Sequence, residues 1–262
     1  MYDFAYHRPN SLADAARLAK NEEAKLVAGG MTLLPTMKQR LARPSDLIDL
    51  GGLKDLIGIK VEGSKVTIGA LTPHAQVAAS ADVQRAIPAL ATLAGGIGDP
   101  QVRNCGTIGG SLANNDPAAD YPAAALGLGA TIQTNERAIA ADDFFRGMFE
   151  TALKPGEIIT SVSFPVPERA GYAKFKNPAS RYAIIGVFAA KTAQGVRVAV
   201  TGAGNGVFRV KAMEDALARS WSADALKSIT VPASQCNGDI HASSEYRAHL
   251  IGVMAHRAVQ AS

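Results

Sequence analysis

Two glycine pairs flanked by hydroxyl residues constrain this chain more than any other feature. The first lies in Leu26-Val27-Ala28-Gly29-Gly30-Met31-Thr32-Leu33. The second is Thr107-Ile108-Gly109-Gly110-Ser111, which follows the glycine-rich approach Gly95-Gly96-Ile97-Gly98. Glycine lets the backbone come close to another group and point its N–H outward. The neighbouring Thr and Ser each add a donor. Two segments so distant in sequence and so alike in chemistry suggest loops that close on one polyanionic ligand. The same residues also fit two plain tight turns, and the pattern alone leaves both readings open. If the ligand reading holds, a side chain at Gly109 is expected to cost binding while leaving the fold intact.

The surrounding elements can be read in order. Ser11, with Asp14 three residues on, opens an amphipathic helix in the manner of a capping box. Lys25–Ala28 reads as a strand and Thr32 as the N-cap of a helix reaching about Leu41, with Pro35 in its first turn. Asp46–Leu50 reads as the next strand. A glycine turn between strand and helix is a good anion site, since the helix start adds its positive end. Further on, Lys65–Leu71 alternates as a half-buried strand. Thr72-Pro73 opens a helix with His74 and Gln76 on its polar face, and Ile87–Leu93 reads as another. Asp120-Tyr121-Pro122 starts an apolar helix to Leu128. Extended segments follow at 130–134, 137–140, 157–165, 172–175, 184–192 and 196–201, and helices at 210–218, 223–227 and 245–258. The expected class is α+β, with units at 1–55, 56–177 and 178–262.

Composition narrows the function. The chain has 262 residues, 47% of them hydrophobic, enough for a substantial core. Its net charge of +4 lacks the concentrated basic stripe that nucleic acid would favour. No apolar run approaches the roughly 20 residues of a membrane span, and Met1-Tyr2-Asp3-Phe4 lacks a secretory pattern. A cytoplasmic protein without a transmembrane segment is expected. Two cysteines, Cys105 and Cys236, are too few for a thiolate cluster. Cys105 reads as a small buried residue in a tight turn rather than a redox thiol. The five histidines, His7, His74, His241, His249 and His256, form no metal set, so no metal is expected. The run Gly202-Ala203-Gly204-Asn205-Gly206 lacks the third glycine of a Rossmann fingerprint, because position 207 is Val. No P-loop and no nucleophile elbow occur. What remains is a binder of a dinucleotide outside the Rossmann class, with Asp120 available to a hydroxyl group.

At Ala28–Leu33, Thr107–Ser111 and Asp116-Pro117-Ala118-Ala119-Asp120 the sequence resembles the FAD-binding medium subunits of molybdenum hydroxylases, the carbon monoxide dehydrogenase and xanthine dehydrogenase family. Pro155-Gly156-Glu157-Ile158-Ile159, Phe175-Lys176 and Asp239–Arg247 extend the likeness over essentially the whole chain. The resemblance implies an FAD-binding fold of the vanillyl-alcohol-oxidase type: a small α/β lobe, a lobe with an antiparallel sheet, and a C-terminal domain of sheet and helices. FAD would lie between the first two lobes. Leu26, Val27, Ala28, Gly29, Gly30, Met31, Thr32 and Leu33 would wrap its pyrophosphate from one side, and Thr107, Ile108, Gly109, Gly110 and Ser111 from the other. Asp120 would take a hydroxyl of the cofactor, and Ile159 and Lys176 would touch it. Ile97 stands where some relatives carry an aromatic near the flavin, and Ser111 where many carry Asn or Asp. No side chain is assigned as catalytic acid or base.

The resemblance further implies a large partner holding a molybdopterin-type molybdenum cofactor and a small partner holding two [2Fe-2S] clusters, in a dimer of heterotrimers that passes electrons to an external acceptor. Membrane contact would come only through the complex, at the inner face. Among such enzymes the carbon monoxide dehydrogenase type fits best. A hydroxylase of aldehydes, N-heteroaromatics or xanthines, a stand-alone FAD oxidoreductase, and a scaffold that has lost FAD are the alternatives.

Overall fold

The computed structural model describes residues 1–262, which form three larger sheets and one two-stranded sheet, with helices packed between and around them. The first lobe holds β1 (Ala5–His7), α1 (Leu12–Leu18), β2 (Lys25–Val27), α2 (Leu33–Lys38) and β3 (Asp46–Asp49). Its strands pair in the order β1-β3-β2, all parallel. The Ser11 hydroxyl caps α1 by accepting from the Asp14 N–H at 3.1 Å and donates to the Asp14 carboxylate at 2.8 Å. Parallel pairing requires a crossover, and α2 supplies it. That crossover puts the Gly29-Gly30 turn at the C-terminal end of β2.

The middle lobe begins with the hairpin β4 (Ile59–Glu62) and β5 (Lys65–Gly69). Six helices follow: α3 (His74–Ala79), α4 (Ala81–Ala86), α5 (Pro88–Gly95), α6 (Pro100–Cys105), α7 (Ile108–Asn114) and α8 (Tyr121–Leu128). Then come β6 (Thr131–Thr134), β7 (Ala138–Ala140), α9 (Ala141–Phe144), the short hairpin β8 (Phe145–Gly147) and β9 (Glu150–Thr151), and β10 (Ile159–Pro165). The five-stranded antiparallel sheet is ordered β4-β5-β10-β6-β7. Its inward residues Val66, Ile68, Ile132, Val162 and Phe164 are fully buried against the helices.

The third unit opens with β11 (Arg169–Lys176), β12 (Ala183–Thr192), β13 (Gly195–Thr201) and β14 (Phe208–Arg209), paired antiparallel in chain order. It closes with α10 (Lys211–Arg219) and α11 (Ser244–Gln260). Its sheet starts at Arg169, ahead of the boundary at 178 read from sequence, because the whole length of β11 pairs with β12. Both faces of this sheet are covered. Ile185, Val187, Ala189, Val198 and Val200 join the core under α10 and α11, whereas Tyr172, Phe188, Ala190 and Ala199 join the middle lobe's core. This explains why the β12 sequence is a nearly unbroken apolar run. The absent side chain of Gly127 lets α8 approach, since a Cβ there would meet Phe188 at 2.9 Å.

Arg247 ties the end of this unit together. One guanidinium nitrogen donates to the carbonyls of Ile184 and Gly202, each at 2.7 Å, and the other to Asp239 at 2.7 Å. No helix is long and apolar enough to cross a membrane.

Several short elements carried no sequence signal: β1, β4, the β8–β9 hairpin, and α6 and α7 on either side of Gly106. Each is brief enough that tertiary pairing, not local propensity, decides it.

Candidate cofactor-binding site

The two glycine loops face each other across a cavity of about 590 Å³. Both Gly-Gly segments line it, together with Leu26, Val27, Ala28, Met31, Thr32, Leu33, Ile97, Thr107, Ser111, Asp120 and Ile159. The loops come close enough to touch. A Cβ on Gly29 would lie 2.0 Å from the Cys105 carbonyl oxygen and 2.8 Å from the Gly106 Cα, so only glycine allows this backbone crossing.

In the first loop the chain runs from the end of β2 into α2 through Gly30, whose φ is +70°. The backbone N–H groups of Gly29, Gly30, Met31, Thr32 and Leu33 find no acceptor within the chain. Thr32 occupies the N-cap position, but its hydroxyl makes no cap bond, contrary to the sequence expectation. Its φ and ψ, −104° and −50°, are already helical, which turns the side chain away from the capping geometry. Five successive free donors on a glycine turn are the kind of backbone segment that can bind an anion.

The second loop is built differently. Thr107 caps α7, its hydroxyl accepting from the Gly110 N–H at 3.1 Å. The Gly109 N–H donates to the Ala70 carbonyl at 2.8 Å and that of Ile108 to Thr72 at 3.3 Å. The Ser111 N–H donates to the Thr107 carbonyl at 3.0 Å. The N–H groups of residues 108–111 are therefore engaged inside the protein, not turned towards a ligand as the sequence reading expected. This loop offers shape and hydroxyl groups instead. Its neighbours press closely, for a Cβ on Gly109 would meet Ala70 at 2.6 Å and one on Gly106 would meet the His74 ring at 2.6 Å.

His74 itself departs from expectation. It is buried against the ring of Tyr121, with centroids 5.3 Å apart, rather than lying on a polar helix face. The Gly106 carbonyl accepts from its backbone N–H at 2.9 Å. Burial, with the Arg103 guanidinium second, lowers its imidazole to about 4, so it is neutral at pH 7. Cys105 is exposed, not buried as expected, since only its carbonyl is needed at the loop contact.

Asp120 lines the cavity and is 4% exposed. Its carboxylate accepts from the Tyr172 hydroxyl at 2.5 Å and from the Lys174 ammonium at 2.9 Å. Lys176 is exposed and outside the lining. The strand register shifts between Phe175 and Lys176 at the end of β11, and Lys174, two residues earlier, is the lysine of this strand that reaches Asp120. Ile159 sits at a similar irregularity in β10, where a bulge can re-aim a side chain.

Behind it, Glu157 accepts from Nε and Nη2 of Arg137 at 2.8 and 3.0 Å and from the Thr134 hydroxyl at 2.9 Å. The Arg137 hydrogen bonds lower its carboxyl to about 2, against the opposing effect of desolvation. Sequence reading also missed Ser180, Arg181 and Tyr182, which reach the cavity from the turn between β11 and β12. Asn177 shapes that turn, its side-chain oxygen accepting from the N–H groups of Ala179 and Ser180. Asn177-Pro178 is a turn signal, but nothing local tells where the turn points.

The cavity thus carries free backbone donors along Gly29–Leu33 and apolar side chains such as Leu26, Ile97 and Ile159 elsewhere on its wall. A family model described as the FAD binding domain in molybdopterin dehydrogenase matches residues 2–167. The carbon monoxide dehydrogenase medium chain of Afipia carboxidovorans is 37% identical, with 98% of this chain and 96% of that one covered. The nicotine 6-hydroxylase medium subunit of Paenarthrobacter nicotinovorans is 36% identical, covering 97% and 95%. Among solved structures, the reconstituted CO dehydrogenase from Oligotropha carboxidovorans matches with a TM-score of 0.90 at 35% identity, covering 99% of this chain and 97% of that one.

Proposed function

The chain belongs to the FAD-binding family of the molybdenum hydroxylases, which are oxidoreductases, and from that premise we propose that it is the electron-transfer subunit of a heterotrimeric member. The observation that carries the proposal is the row of five free N–H groups at Gly29–Leu33, facing the Thr107–Ser111 loop across the cavity. That row suits a pyrophosphate, whose charge it can share without a buried cation. A Cβ at position 29 would collide with the Cys105 carbonyl and push the two loops apart. Thr107 and Ser111 offer hydroxyls from the other wall, and Asp120 an acceptor for a hydroxyl of the ligand.

The apolar side chains of Leu26, Val27, Ile97 and Ile159 exclude water from the rest of the cleft. Tyr182 adds an aromatic face from the third unit. FAD, when bound, supplies chemistry that joins single-electron carriers to a two-electron acceptor; the protein binds, orients and tunes it. His74, neutral and buried, and Asp120, already paired, are not assigned as acid or base. The iron–sulfur clusters and the molybdenum cofactor would sit on a small and a large partner, and the substrate would be chosen there. Relatives at 37% and 36% identity carry names of enzymes for different substrates, so similarity in this chain does not single out carbon monoxide.

The test is an absorption spectrum of the chain purified with its native companions, followed by denaturation and identification of the released flavin. FAD at one per chain, with iron–sulfur absorbance from copurifying partners, is the expected result. A preparation with no flavin, and none taken up from added FAD, would overturn the reading. FAD with turnover by this chain alone would favour a stand-alone oxidoreductase.

A further inference from the structure

The segment Asp116–Asp120 belongs by sequence to the FAD-binding region, yet the third unit holds it in place. The Pro117 carbonyl accepts from the Gly202 N–H at 2.8 Å and from the Thr201 hydroxyl at 3.0 Å. The same hydroxyl reaches the Ala119 carbonyl at 2.6 Å, and the Ala183 N–H donates to Ala118 at 3.3 Å. At the end of this stitched segment stands the Asp120 carboxylate. Its side-chain partners, Tyr172 and Lys174, are two residues apart on β11 and so share one face of that strand. The side chains of Asp120 and Lys174 are 5% and 8% exposed, and Tyr172 is 9% exposed. Lys174 also donates to the Gly96 carbonyl at 3.2 Å, which fixes its ammonium between Gly96 and Asp120.

We infer that Tyr172 and Lys174 are positioning residues that orient the Asp120 carboxylate as the acceptor for a cofactor hydroxyl. On this view the third unit, outside the matched region 2–167, completes the flavin site. The inference rests on the proposal that the cavity takes FAD.

A carboxylate has about four acceptor positions, and the Tyr172 hydroxyl and Lys174 ammonium occupy only some of them. An oriented lone pair therefore remains for a ligand. Burial raises the Asp120 carboxyl above its ordinary value, and the Lys174 ammonium and the Tyr172 hydroxyl limit that rise. Without Lys174, a buried carboxylate has little reason to stay charged. A protonated Asp120 would turn one acceptor into a donor and lose the charge that strengthens a hydrogen bond to a hydroxyl.

The test is a double-mutant cycle on FAD binding by the flavin-free full chain, with thermal unfolding measured alongside. K174M and D120N are each expected to raise the FAD dissociation constant about tenfold, a loss in the range of one charge-assisted hydrogen bond. Combined, they should cost little more than either alone, because both remove the same interaction. K174R should restore most of the affinity. Y172F, which deletes one hydroxyl and little volume, should weaken binding about threefold and gives a second route if K174M folds poorly.

Independent, multiplying effects of K174M and D120N would overturn the inference. So would unchanged affinity in K174M and Y172F. If the wild-type chain itself fails to bind FAD, the functional proposal falls at that earlier step, which separates its failure from the failure of this inference.

Discussion

The two glycine loops look interchangeable in sequence and behave as opposites in the fold. In the loop at Gly29-Gly30 five N–H groups from Gly29 to Leu33 are left without partners, and the chain stays open to the cavity. In the loop at Gly109-Gly110 the donors from Ile108 to Ser111 are consumed by Thr72, Ala70 and Thr107. Both use glycine for close approach, but the first leaves its backbone donors free and the second spends them on the protein. A glycine pair beside a hydroxyl residue thus identifies a tight backbone, not what the backbone is tight against.

This contrast can be broken most severely at Gly29. The G29V substitution sets a side chain against the Cys105 carbonyl and should force the loops apart. A loss of about a hundredfold in FAD affinity is expected, equivalent to roughly 3 kcal/mol of overpacking. Titration of the flavin-free chain with FAD measures it, and near wild-type affinity would refute the loop contact.

At Gly109 the same change should act on the fold. Because a Cβ there meets Ala70, G109V is expected to cost about 2–3 kcal/mol of stability. For a chain of this size that is a fall on the order of 5–10 °C in Tm, seen by calorimetry without ligand. This replaces the sequence-based expectation of an intact fold, and an unchanged Tm would restore that expectation.

A milder probe is T107V, which removes the cap of α7. About 1 kcal/mol of stability should be lost, read as a small shift in the urea midpoint. A larger loss of FAD affinity than of stability would show that the hydroxyl serves the ligand more than the helix.

The smallest effect concerns pH. His74, packed behind the second loop, has its imidazole lowered to about 4 from 6.5. Between those values the unfolded chain binds a proton that the folded chain refuses, so stability is full above about 6.5 and falls as the pH drops towards 4. In H74Q that portion of the unfolding profile should be flatter than in the wild type. Equal slopes would mean that the buried ring is not the group responsible.

Much of the scaffold was legible because local rules and burial agree along it. The capping serine of α1, the alternation of β5, the apolar run of α8 and the hairpin of β12 and β13 all declare themselves in composition and period. The candidate site was legible in part. Gly29, Gly30, Thr107 and Asp120 carry a chemistry that narrows their use, and they do line one cavity. Lys176 was a different matter: two lysines on one strand are alike in sequence, and only the pairing of β11 decides that Lys174 reaches the carboxylate. Tyr182 was invisible for the same reason, since a turn residue shows that the chain reverses but not what lies beneath it.

By itself, then, the sequence determined the α+β class and the two close-approach turns, because glycine, capping residues and apolar periodicity act over a few neighbouring positions. Only the tertiary structure decided which loop keeps its donors free and which strand supplies the partners of Asp120. Those outcomes depend on Ala70, Thr72, Tyr172 and Lys174, residues brought in from elsewhere in the chain, and a buried hydrogen bond is made or left unmade by what packs against it.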